Sequence, residues 1–64
     1  MFKEAITERS GKILGWVETD IVGNQTLTDF YGKIVGKYDV KFNETRDFYG
    51  RRVSRGNQLM MLLR

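Results

Sequence analysis

Thr28-Asp29-Phe30-Tyr31-Gly32-Lys33-Ile34-Val35-Gly36 recurs as Arg46-Asp47-Phe48-Tyr49-Gly50-Arg51-Arg52-Val53-Ser54, and more faintly upstream as Thr7-Glu8-Arg9-Ser10-Gly11-Lys12-Ile13-Leu14-Gly15. The shared skeleton is acid-x-x-Gly-base-x-aliphatic-small, and such self-similarity points to one supersecondary unit used repeatedly. Its chemistry is that of a hairpin turn. An Asp at the first turn position caps the backbone with its carboxylate, and a Gly three residues later takes the left-handed conformation that a following bulge requires. Asp29/Gly32 and Asp47/Gly50 fit this fully; Glu8/Gly11 fits less well, because Glu is a poorer turn cap.

The flanks carry β-branched and aromatic residues and read as strands. Hairpin units are expected over about 5–18, 26–40 and 43–55. Gly15 and Gly36, recurring in the second strands, mark bulges or places where two backbones approach closely. Asp20-Ile21-Val22-Gly23 has the same spacing but two aliphatic residues at its centre, which suggests a connector rather than a fourth tip. Gly23-Asn24-Gln25-Thr26-Leu27 is echoed by Gly56-Asn57-Gln58-Leu59, so the C-terminal segment resembles the opening strand of a further unit. Leu59-Met60-Met61-Leu62-Leu63 has no clean period. A strand over 57–63 that pairs with the N-terminal strand is expected, because closing the array removes two sticky edges. The fold class is therefore all-β: three to four repeated hairpins in a pseudo-symmetric, flower-like or barrel-like arrangement, forming a single domain over 1–64.

The acid-x-x-Gly-x-x-x-Gly spacing at Asp29, Gly32 and Gly36, then at Asp47 and Gly50, with Glu8, Gly11 and Gly15 less exact, resembles the small bacterial β-flower proteins. In that family, short hairpins radiate around a pseudo-rotational axis. The third unit departs from the pattern, with Arg52 in place of Ile and Ser54 in place of Gly. The resemblance implies a fold and carries no activity or functional residue with it.

A 64-residue chain hides only about 60% of the surface its unfolded form exposes, so its core must be thin. Cysteine and histidine are absent, which removes disulfides, thiolate metal sites, the usual zinc ligand and the usual general base. No Pro- or Ser-rich linker divides the chain. No membrane-length apolar run and no export signal are read, so a cytoplasmic protein is expected. No cofactor or metal is expected either. The carboxylates Glu8, Asp29 and Asp47 are explained as turn caps, and no segment has the oxygen density of a calcium loop. Asp-Phe-Tyr-Gly is not a kinase magnesium motif, since everything that must accompany it is missing. The expectation is a protein without catalytic residues.

Charge is unevenly placed. Residues 1–45 hold six Lys/Arg and seven Asp/Glu, whereas residues 46–64 hold five Arg against Asp47 alone. The leading reading is a binding or assembly module that presents hairpin surfaces to a protein partner or to itself. The alternative is a nucleic-acid binder in which Tyr31 and Tyr49 stack on bases while Lys33, Lys37, Arg51 and Arg55 contact phosphates. Strict strand alternation puts Arg51, Val53 and Arg55 on one face and Arg52 with Ser54 on the other. Trp16 and Tyr38, each just beyond a recurrent glycine, are candidates for core packing or for lining a small pocket.

Overall fold

A computed structural model describes residues 2–63. Six strands, β1 (Phe2–Thr7), β2 (Ile13–Thr19), β3 (Gln25–Asp29), β4 (Ile34–Asp39), β5 (Glu44–Asp47) and β6 (Arg52–Arg55), form one antiparallel sheet in chain order. A 3-10 helix, Leu59–Leu63, follows. The chain is thus all-β with almost no helix, and the sheet is open, with β1 and β6 as its edges.

Turn chemistry accounts for the meander. At residues 8–11, 29–32 and 47–50, the first turn residue donates its amide to the carbonyl four residues on and accepts the amide of the glycine. Gly32 and Gly50 take φ of 83° and 82°, a region that costs a side chain steric strain. Asp29 Oδ1 also accepts the amides of Tyr31 and Lys33, and Asp47 Oδ1 those of Tyr49 and Arg51. Glu8 is one methylene too long for this, and takes the Ser10 hydroxyl instead. The connector expected at Asp20–Gly23 is in fact a turn of the same construction, with Asp20 Oδ1 accepting the amides of Val22, Gly23 and Asn24. Its two aliphatic residues do not disturb the turn, because carboxylate and glycine alone set the backbone.

Each of the three hairpins slips by one residue just past its turn. Ile6 pairs with Gly15 and Thr7 with Ile13; Leu27 pairs with Gly36 and Thr28 with Ile34; Thr45 pairs with Ser54 and Arg46 with Arg52. The unpaired residues are Leu14, Val35 and Val53, so the aliphatic position of the skeleton is a β-bulge.

The segment 57–63 is not the strand expected from sequence, and it does not pair with β1. It forms a 3-10 helix in which residues three apart eclipse, so Leu59 and Leu62 share one side. Leu59 is almost fully buried, and Leu62 lies against Gly36. A strand would have grouped Leu59, Met61 and Leu63 instead. The helix lies across β4 and covers the middle of the inner sheet face, where Leu27 is fully buried. Thr45 anchors the approach to the helix. Its buried hydroxyl donates to the Gly56 carbonyl at 2.6 Å and accepts the Gln58 amide at 2.8 Å.

Candidate interaction surfaces

Cross-strand register assigns each paired strand residue to one of two faces. The inner face carries Ile6, Val17, Leu27, Tyr38 and Thr45 under or beside the helix; the outer face carries Lys3, Trp16, Lys37, Arg46, Arg52 and Arg55. All five Lys and Arg residues within the strands, Lys3, Lys37, Arg46, Arg52 and Arg55, fall on the outer face. The inner face has strand carboxylates at Glu4, Asp29 and Asp47 and no strand cation. The outer face also carries Glu18, Asp39 and Glu44, so the cations there are partly offset while the inner face is purely acidic.

The bulge at Val53 corrects the expected grouping of the arginines. By absorbing one residue, it returns Arg52 to the face of Arg55, where strict alternation would have separated them. Glu44 confirms the placement, since it takes Arg46 at 3.0 Å and Arg52 at 3.1 Å. Arg46 Nε is buried with no hydrogen-bond partner among the described residues.

Hairpin tips present the candidate aromatics. Tyr31 is 90% and Tyr49 77% exposed. Phe30 folds back onto Trp16 of the neighbouring hairpin, with ring centroids 6.2 Å apart and planes 19° apart. Lys3 Nζ lies 5.5 Å from the Trp16 centroid, Lys33 Nζ 5.8 Å from that of Phe48, and the Arg51 guanidinium 5.4 Å from that of Tyr49. These are cation–π distances. Lys33, Lys37, Arg51 and Arg55 are thus distributed between the tips and the outer face, while Tyr31 and Tyr49 stand at the tips alone.

Trp16 and Tyr38 do not share a pocket. Trp16 follows Gly15 by one residue and Tyr38 follows Gly36 by two, so alternation sends them to opposite faces. Tyr38 instead donates its hydroxyl to Asn43 Oδ1 at 2.7 Å.

The turn carboxylates are structural acceptors. Partial desolvation pushes the Asp47 carboxyl up, but the amides of Arg51 and Tyr49 together with the Arg51 guanidinium outweigh it and hold the group below its ordinary value. A concavity of about 470 Å³ is lined by Glu4, Ile6, Val17, Asn57, Leu59 and Met60. Among the described residues, no three Asp or Glu converge as metal ligands would, and no helix is long and apolar enough to cross a membrane.

Sequence reasoning missed three features. Thr45 gives no sequence signal, because a Thr in a strand is unremarkable. The Asp20 turn carries the acid-x-x-Gly signal, which its aliphatic centre obscured. The third is the apolar row at the opposite end of the sheet from the aromatic tips. The chain matches no protein-family model, no curated protein and no solved structure.

Proposed function

We propose that this protein is a cytoplasmic, non-catalytic binding or assembly module, whose hairpins are copies of one β-flower-like repeat and present their surfaces to a protein partner or to a second copy. The observation that carries this reading is the surface left uncovered. The chain exposes 4898 Å², against about 4,250 Å² for a folded monomer of its mass. Leu27 and Leu59 are its only buried apolar side chains among the described residues. A sheet this thin gains stability from whatever covers it. Self-assembly therefore predicts a melting temperature that rises with protein concentration. A melting temperature constant over a hundredfold range would remove it and leave a separate protein partner.

A second reading, single-stranded nucleic-acid binding, is favoured by the collection of all strand cations on one face beside exposed tip tyrosines. Sheet platforms bind single strands by stacking bases on rings while cations follow the phosphates.

A further inference from the structure

Phe2 opens β1, Ile21 and Val22 sit at the centre of the β2–β3 turn, and Val40 and Phe42 lie in the β4–β5 turn, so all five share the end of the sheet opposite the aromatic tips. Phe2 pairs with Thr19 at the foot of the first turn. Val40 lies over Gly23 and donates its amide to Asn24 Oδ1 at 2.9 Å, which locks the two turns together. All five side chains are exposed, Ile21 by 90%. Their exposure has no local cause, because Asp20 and Gly23 fix the turn backbone and leave positions 21 and 22 free to be polar.

We propose that this apolar turn end is the interface through which two copies of the chain associate, related by a two-fold axis that packs Ile21 and Val22 of each against Val40 and Phe42 of the other. The inference rests on the self-assembly reading above and deepens it. Two observations select a second copy as the occupant. The five residues expose on the order of 600 Å², the upper end of what monomers present, and two such patches offer up to about 1,200 Å², enough to clear the roughly 1,000 Å² a specific interface needs. Charge around the patch is nearly balanced, with Glu18, Asp20, Asp39 and Glu44 against Lys3, Lys41 and Arg55, and Lys41 is drawn over the Phe42 ring at 5.6 Å. Identical copies therefore meet with little net repulsion, whereas an anionic bilayer would find no cationic excess here.

Sedimentation velocity over a wide concentration range, on wild type and on Ile21→Ser/Val22→Ser, tests this directly. Dimerisation by the wild type, weakened at least tenfold in the double variant, is expected. Because the chain has no cysteine, an equimolar mixture of Ile21→Cys and Phe42→Cys chains should cross-link into mixed dimers under mild oxidation and a mixture of Tyr31→Cys and Phe42→Cys chains should not, which decides the matter even if the double variant fails to fold. A wild type that stays monomeric overturns both this inference and the self-assembly reading. A dimer that survives the double substitution, with no preference for cross-linking between positions 21 and 42, overturns only this surface. A monomer that co-sediments with phosphatidylcholine/phosphatidylglycerol vesicles through Ile21 and Val22 replaces the second copy with a membrane surface.

Discussion

Glycine performs two different tasks here, and substitution separates them. At Gly32 and Gly50, nothing lies within 4 Å of where a Cβ would stand, so the constraint is purely conformational. Valine at either should cost more than about 1 kcal/mol, because a β-branched residue is poorly tolerated at positive φ. Thermal melts check this, and variants that melt with the wild type would show that the turns do not need the left-handed residue. At Gly36 the backbone is ordinary but the space is filled: a Cβ would stand 2.6 Å from the Arg46 carbonyl oxygen of the next strand and would also meet Leu62. Gly15 meets the Thr28 carbonyl of β3 in the same way. Ser54, the equivalent in β6, lies on an edge strand with no next strand to approach. Alanine at Gly36 should therefore destabilise strongly, while glycine at Ser54 should cost only the strand penalty, below about 1 kcal/mol. Asp47 adds a pH signature. Its folded-state carboxyl titrates below its ordinary value, so its contribution is present above that ordinary value and lost as pH falls through the lowered one. Asp47→Asn should melt with a weaker dependence on acid pH than the wild type over that window.

The C-terminal 3-10 helix is the element on which the thin core depends. Leu59→Ala should cost about 2–5 kcal/mol, the usual range for a buried Leu, and in so small a domain that is enough to leave much of the protein unfolded at room temperature. Circular dichroism and denaturant titration measure it; a cost below about 1 kcal/mol would mean that the sheet stands without its cover. The strands and their turns were legible in the sequence because acid-x-x-Gly chemistry is local: Asp29 and Gly32 determine their hairpin without help from elsewhere. Two outcomes were not legible because they are decided at a distance. Whether Leu59–Leu63 runs on as a strand depends on the space over Gly36 and on the Thr45 hydroxyl that receives Gln58. Which face Arg52 occupies depends on the bulge at Val53, and a single absorbed residue inverts everything that alternation predicts beyond it. The acid-x-x-Gly at Asp20 is legible in the sequence, and only Ile21 and Val22, atypical turn residues, argue against it.

Taken whole, the molecule has an inner face covered at its middle, an outer face that holds all the strand cations, aromatic tips at one end and apolar turns at the other. These surfaces call for different measurements. If single-stranded nucleic acid lies on the outer face, its affinity should fall with salt at a slope of about −0.7 per phosphate contact. Four contacts then mean a roughly fiftyfold loss for each fourfold rise in salt. The contributions should be unequal. Arg46 and Arg52 already share Glu44, and Arg51 is paired with Asp47, whereas Lys37 and Arg55 make no ion pair among the described residues. Lys37→Gln or Arg55→Gln should therefore each lower both affinity and salt slope more than Arg51→Gln or Arg52→Gln does. Tyr31→Ala and Tyr49→Ala should weaken binding through lost stacking, worth about 1–3 kcal/mol per base, and leave the slope unchanged. Fluorescence anisotropy with a labelled oligonucleotide at low and moderate salt separates the two contributions. A wild type that fails to bind even at low salt, where non-specific contacts are strongest, eliminates nucleic acid as the partner. The outer-face cations would then serve to keep the open sheet from pairing edge to edge, and the apolar turns at the far end would remain the proposed surface for self-association.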